Sequence, residues 1–261
     1  MGTDMRKPDL HVLDSSVENN LKGRNEIVSV SIDSPQFSAN ARKKVWVQIE
    51  PKSIRNSMPF LEQNYGEFDV ILAWDKNILN AFPNTKRFIY GTCWIDTENF
   101  APNKKNVLSF LTSSKKYTEG HCLRHSVFNH LSNYPTLFPR KYVIHAVMTP
   151  PRIEKKERLF ENAKYSIIIE NEKEDNWITE KLIDCFATKT IPIYWGAPNV
   201  GEFFDEKGII PFNTIPELFE ILNSLDMKEY DALTDSIEHN YTEALKYADF
   251  FSRVDKEIDL L

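Results

Sequence analysis

The chain has 261 residues, with 32 Lys and Arg against 38 Asp and Glu, a formal net charge of −6 at pH 7. That balance argues against a polyanion binder working by bulk electrostatics, and 41% hydrophobic with 12% aromatic residues exclude disordered and fibrous classes. Eight glycines are about half the usual share of roughly 7%, which disfavours a Gly-rich phosphate loop. Cys93, Cys122 and Cys185 are widely spread without a CxxC pair, so a reducing compartment is expected. No apolar run approaches the ~20 residues of a bilayer span, and the start lacks the apolar stretch of a signal peptide. Met-Gly at the start lacks the Ser or Thr of a myristoylation site, Arg6 standing there instead. The expectation is a soluble, cytoplasmic protein.

Residues 1–24 are polar and mixed in sign and read as a weakly ordered arm. Residues 25–100 read as a small α/β domain, with short β-branched or aromatic runs at 27–32, 45–49, 70–74 and 87–90 separated by Pro, Asn and Asp. The polar, aperiodic segment 96–106 is the expected link to a second domain at 101–232. In that domain 107–111 reads as a buried strand, followed by a polar loop to 120 and a helix with Leu123, Val127, Phe128 and Leu131 on one face. A strand at 165–169, a helix at 177–188 and a strand at 191–195 form a βαβ unit, which implies a parallel sheet. Asp175 or Asn176 is the expected helix cap. The tail is helical from 214, and its last part, 233–261, is expected to include a helix packing back on the N-terminal half.

Ligands of open parallel sheets bind beyond the carboxyl ends of the strands. Two such ends are polar here: 107–111 runs into Ser113, Ser114, Lys115 and Lys116 with Arg124 beyond, and 165–169 runs into Glu170 and Asn171 with Trp177, Thr179, Glu180 and Lys181 after them. Cations and helix-start N–H groups suit phosphates, a carboxylate suits ribose hydroxyls and an aromatic ring suits packing, the combination for a nucleotide diphosphate sugar. The plainer reading of Thr179, Glu180 and Lys181 is a solvated helix start.

Ile169-Glu170-Asn171, Trp177-Ile178-Thr179-Glu180-Lys181-Leu182 and the run from Ile191 to Trp195 with Gly196-Ala197-Pro198-Asn199 resemble, in order and spacing, the signature of glycosyltransferase family 10, the α-1,3-fucosyltransferases. Arg124 resembles that family's phosphate-binding arginine. Ile169 and Trp177 stand where the family usually has Phe and Tyr, so any hydrogen bond of the Tyr hydroxyl falls to the indole N–H. The resemblance covers about residues 107–213. It implies an α/β protein of GT-B type, two Rossmann-like halves with parallel sheets, the donor bound by the C-terminal half and the acceptor by the N-terminal half. It further implies an inverting transfer of L-fucose from GDP-fucose to a glycan hydroxyl, with no cofactor required. The nucleotide-sugar residues would be Ser114, Arg124, Glu170, Asn171, Trp177, Thr179, Glu180 and Lys181.

Inversion by single displacement needs a base for the acceptor hydroxyl. Glu50, at the carboxyl end of the 45–49 strand and followed by Pro51, is the first choice and resembles the family's catalytic glutamate. Asp75, after 70–74, competes for the same reason. Three other readings are weaker. Gly196 to Gly201 has P-loop spacing, but Glu202 stands where Lys is required. His121, Cys122 and His125 cluster without an evident third zinc ligand, so no metal site is assigned. The Lys104-Lys105 and Lys115-Lys116 pairs sit in an acidic chain, so nucleic acid is not an expected partner. A non-catalytic nucleotide-sugar or carbohydrate binder of the same fold is the alternative class; loss of turnover on replacing Glu50 separates the two.

Overall fold

The computed structural model describes residues 17–18, 28–38, 41–133, 142–149 and 155–261. Apart from the short strand at Val17–Glu18, the arm expected over 1–24 lies outside the described residues. The chain forms two compact units, one comprising residues up to Tyr90 together with Phe250–Leu261, the other Gly91–Asp249.

In chain order the first unit contributes β1 (Val17–Glu18), β2 (Val28–Ile32), β3 (Lys43–Val47), α1 (Met58–Asn64), β4 (Val70–Ala73), α2 (Lys76–Ala81) and β5 (Thr85–Arg87). The second contributes β6 (Lys105–Ser113), α3 (Glu119–Asn133), β7 (Val143–Thr149), α4 (Glu157–Phe160), β8 (Ala163–Ile169), α5 (Glu180–Ala187) and β9 (Ile191–Trp195). It continues with β10 (Ile210–Pro211), α6 (Ile215–Ser224), α7 (Glu229–Ala232) and α8 (Thr234–Leu245), after which α9 (Phe250–Asp259) returns to the first unit.

The N-terminal sheet runs β1-β2-β3-β4-β5 and is parallel except for β1 against β2. β4 and the end of β3 are apolar on both faces, as the covered middle of a parallel sheet requires. The pleat divides the strands: Val28, Val30, Val45, Val47 and Leu72 share one face with Phe250, Val254 and Ile258 of α9. Trp46, Ile71 and Ala73 share the other with Leu61 of α1 and Ile78 of α2. The spacing 250, 254, 258 puts the three α9 residues on one stripe, and Arg253 extends its guanidinium to the carbonyls of Ile89 and Tyr90.

The C-terminal sheet runs β10-β9-β8-β6-β7, parallel throughout. These two α/β units with parallel sheets are the architecture expected from the sequence.

Three details differ. The change of unit falls at Gly91 instead of near residue 100, because the backbone N–H groups of Gly91, Trp94 and Asn103 are bound by Ile178 O (3.0 Å), Asp184 Oδ1 (2.6 Å) and Glu161 O (2.9 Å). At the other end, 233–249 stays with the C-terminal unit and only the chain from Phe250 returns. β7 is an edge strand whose residues are exposed or half-buried, and its apolar run from Val143 to Met148, broken only by His145, is a strand signal that the reading of the sequence passed over. Among the described residues no helix is long and apolar enough to cross a membrane.

Candidate functional site

At the carboxyl edge of the C-terminal sheet, β8 ends in Glu170, whose side chain is wholly buried. Its carboxylate accepts from Thr179 N (3.1 Å) and Thr179 Oγ1 (2.7 Å) and lies 3.5 Å from Lys181 Nζ. Burial pushes the Glu170 carboxyl above its ordinary range, opposed by Lys181 and by the two Thr179 bonds. Two glycines make room for this residue. A Cβ on Gly120, at the start of α3, would stand 1.8 Å from the Glu170 carbonyl oxygen, and one on Gly196 would stand 2.8 Å from Glu170 Cγ.

The helix expected from residue 177 starts at Glu180, and neither Asp175 nor Asn176 caps it. Asn176 instead takes a left-handed conformation (φ 64°) and exchanges amide bonds with Asn199, 2.8 Å and 3.0 Å. This turn carries Trp177 and Ile178 into the core. Thr179 is the cap, its hydroxyl accepting from Lys181 N. Lys181 Nζ returns to Thr179 Oγ1 (3.1 Å) and Glu180 Oε1 (3.3 Å).

Burial alone would raise the Glu180 carboxyl, but Lys181 and Lys156, with hydrogen bonds from Lys181 and from its own backbone N–H, bring it down to about 2. Lys156 pairs with Asp184 at 2.7 Å and lies 4.9 Å from the centroid of Trp94. Nothing in the polar run around Lys156 marks it in the sequence, because only the fold brings it to α5.

Arg124, from α3, is 5% exposed. It donates to the carbonyls of Ile169 and Glu170 and, at 2.9 Å, to Asn171 Oδ1. Burial lowers its guanidinium to about 10, opposed by Glu170 and Glu180, so it stays cationic at neutral pH. His121, one turn earlier, bonds the Thr118 hydroxyl through Nδ1 at 2.7 Å. Desolvation first, then Arg124, Lys181, Lys115 and His125, bring its imidazole down to about 3. His121 therefore reports a positive field at this edge and stays neutral at physiological pH. His125 Nε2 lies 3.1 Å from the Lys115 carbonyl.

The eight residues expected to bind a nucleotide sugar thus divide in two. Ser114 is exposed, Asn171 and Lys181 are half-buried, and Glu180 and Arg124 are at the margin of burial, 9% and 5% exposed. Glu170, Trp177 and Thr179, at 0%, 2% and 1% exposure, are closed off from solvent. Glu170 and Thr179 brace the others, and the left-handed turn at Asn176 carries Trp177 inward.

At the carboxyl edge of the N-terminal sheet, Glu50 follows β3 and is half-buried. The chain around it is tied from three sides. Asp33 Oδ2 accepts from the N–H groups of Ile49 (3.0 Å) and Glu50 (2.6 Å). Trp74 Nε1 donates to Ile49 O (3.2 Å), and Gln48 Oε1 accepts from Asp75 N (3.1 Å). Asp75, the competing carboxylate, is engaged as the cap of α2, accepting from Asn77 N at 2.7 Å. Sequence reading did not single out Asp33; its only mark is its place after an apolar strand.

Fold and site together define an α/β protein in which two helix starts bring Arg124 and Lys181, with paired carboxylates, to the carboxyl edge of a parallel sheet. The C-terminal family model of glycosyltransferase family 10 (fucosyltransferase) matches residues 101–235, more than half of the chain, and the protein belongs to that family. An alpha-(1,3)-fucosyltransferase FucT from Helicobacter pylori is 30% identical over 97 residues, 37% of this chain and 18% of that protein. A solved alpha1,3-fucosyltransferase with GDP superimposes with a TM-score of 0.50 at 18% identity, covering 76% of this chain and 66% of that one. A second, with GDP-fucose, gives a TM-score of 0.49 at 16% identity over 86% of this chain and 77% of that one. The matches thus span less than two thirds of the FucT relative and of the GDP-bound structure.

Proposed function

We propose that this chain is an inverting fucosyltransferase that moves L-fucose from GDP-fucose to a hydroxyl of a glycan acceptor. The observation that carries the reading is the start of α5, where Lys181 and Lys156 keep Glu180 ionised beside a helix N-terminus. An ionised carboxylate accepts from the vicinal hydroxyls of a ribose, and Lys181 meets the diphosphate. Arg124 fixes Asn171 and adds positive charge, while Ser114 and Asn171 offer further polar contacts. Family membership supports fucose as the sugar, and the GDP of the related solved structure supports guanosine as the nucleoside. The free thiols Cys93, Cys122 and Cys185 favour a cytoplasmic setting.

In the proposed reaction Glu50 takes the proton of the acceptor hydroxyl as its oxygen bonds the anomeric carbon. The bond from that carbon to the β-phosphate oxygen breaks, and GDP leaves with the electron pair. Lys181, Arg124 and the helix N-termini stabilise the charge that develops on GDP.

The test is a thermal-shift panel of GDP-, UDP-, CMP- and dTDP-sugars with transfer assays of Glu50→Gln. Selective stabilisation by GDP-fucose, and loss of turnover in Glu50→Gln of about 10²-fold or more with donor binding retained, are expected. Stabilisation by UDP or dTDP ligands without GDP would overturn the donor; full turnover in Glu50→Gln would overturn the base.

A further inference from the structure

Asp33 combines three properties that packing alone does not call for. Its backbone is left-handed, φ 47°, a conformation that Asp shares with Gly and Asn and that most other side chains resist. Its side chain is 8% exposed, yet among the described residues Oδ1 has no hydrogen-bond partner. The other oxygen, Oδ2, accepts both from Ile49 N and from Glu50 N. A carboxylate held this way is costly, since an unpartnered buried oxygen forgoes its hydration.

The surroundings fix where that oxygen sits. The Arg55 guanidinium donates to the Asp33 carbonyl, and Asp33 N donates to Val47 O at 2.9 Å. Trp46 Nε1 holds Ser34 O at 3.2 Å. Glu50 therefore emerges from β3 with its own amide and the preceding one pinned to a single atom.

We propose that Asp33 is a positioning residue for the transfer reaction, its carboxylate oxygen setting the direction in which Glu50 leaves β3. The inference rests on the reading of Glu50 as the acceptor base and adds to it the group that aims it. Ionised, Asp33 grips the two N–H groups by charge-assisted bonds; protonated, it grips them more weakly. Burial, together with the Glu50 carboxylate, pushes the Asp33 carboxyl up to about 7 against its two backbone bonds and Arg55. Its change of charge thus falls inside the working pH range.

The decisive variant is Asp33→Asn, which keeps an acceptor oxygen, tolerates positive φ and removes the buried charge. Turnover, read as GDP release from GDP-fucose with water or a glycan as acceptor, should fall by about tenfold or more, with KM for GDP-fucose within about twofold. The limb of the pH profile near 7 should disappear, and the thermal midpoint at about pH 8 should hold or rise, because the costly carboxylate is gone. A purely structural Asp33 would give the reverse pattern, turnover and thermal midpoint falling together, and that result, or parental kcat with an unchanged pH profile, sinks the proposal. Glu50→Gln assayed alongside separates the failures. If Glu50→Gln is inactive while Asp33→Asn keeps its kcat and pH profile, only the inference fails. If Glu50→Gln keeps parental turnover, the base assignment fails and the inference with it.

Discussion

The two sheet edges solve the same problem, holding charged side chains in place, by different means. At the C-terminal edge side chains hold both side chains and backbone: Glu170 grips Thr179 and Lys181, Arg124 grips Asn171 and the carbonyls of Ile169 and Glu170, and Asn199 grips the backbone and side chain of Asn176. At the N-terminal edge side chains hold backbone: Asp33 takes the amides of Ile49 and Glu50, and Trp74 takes the Ile49 carbonyl. A side-chain network constrains residue identity at every node. A backbone clasp constrains it only at the residue whose side chain does the clasping. The difference decides where chemistry can be read in a sequence, and it also predicts how the two edges respond to mutation.

The largest contrast should come from two glycines. Gly120→Ala places a methyl 1.8 Å from a backbone oxygen of Glu170, which neither helix start nor strand end can yield cheaply. It should cost roughly 3 kcal/mol or more and abolish stabilisation by GDP in a thermal-shift assay. Gly66, in the 3-10 turn Tyr65–Glu67 of the N-terminal unit, has nothing within 4 Å of the place a methyl would take. Gly66→Ala should lie within about 0.5 kcal/mol of the parent. Equal effects would mean that Gly120 is not a close-approach site.

Within the C-terminal edge, frame and contact residues should separate. Glu170→Ala leaves Lys181 and the Thr179 groups without their shared acceptor and should cost about 3–5 kcal/mol in stability. Lys181→Ala, at a side chain 24% exposed, should alter stability little but weaken GDP by roughly ten- to a hundredfold, the scale of a charge-assisted contact. Isothermal titration with GDP, beside urea unfolding, distinguishes the two. A Lys181→Ala chain that binds GDP as tightly as the parent would remove Lys181 from the site.

Asp33 and Glu180 should also contribute to the pH dependence of stability with opposite sign. Asp33 is raised to about 7 in the fold from 3.8, so the folded state binds the extra proton, and stability of the N-terminal unit falls as pH rises from about 4 to about 7. The full cost is roughly 4 kcal/mol, present above that window. Glu180 is lowered to about 2 from 4.5, so its contribution is complete above about 4.5 and is lost as pH falls through about 2. Hydrogen exchange on strands β2 and β3 should therefore quicken between about pH 4 and 7, after correction for intrinsic rates, and Asp33→Asn should flatten that slope. Identical slopes in parent and variant would contradict the shift.

What the sequence showed follows the same division. The strands 45–49, 70–74, 165–169 and 191–195 were legible because buried parallel strands are continuous apolar runs. The C-terminal site was legible as a motif because most of its braces lie in one stretch, Glu170 to Asn199, and several of them join side chain to side chain. The inward turn at Asn176 was not, since nothing local tells an amide that closes a left-handed turn from one that caps a helix. Lys156 and Asp33 escaped because each acts on a partner more than fifteen residues away, or on backbone whose sequence is unconstrained. β7 was passed over although Val143 to Met148 is apolar but for His145, a pattern that marks a strand in its own right.

The last and smallest contrast lies on α9, the one segment of the N-terminal unit that arrives from the far end of the chain. Val254 is wholly buried on the sheet, whereas Glu257, three residues on, pairs with Lys86 at the surface. Val254→Ala removes two methyl groups from a packed face and should cost about 2 kcal/mol. Glu257→Ala should cost less than about 1 kcal/mol, a difference that fades in high salt. Both would be read by urea unfolding at low and high ionic strength. If Glu257→Ala proved the costlier of the two, the return of α9 would be an electrostatic latch. The spacing of Phe250, Val254 and Ile258 argues the other way: the stripe is apolar and unbroken, its partners are the valines of β2 and β3, and the surface pair only decorates it.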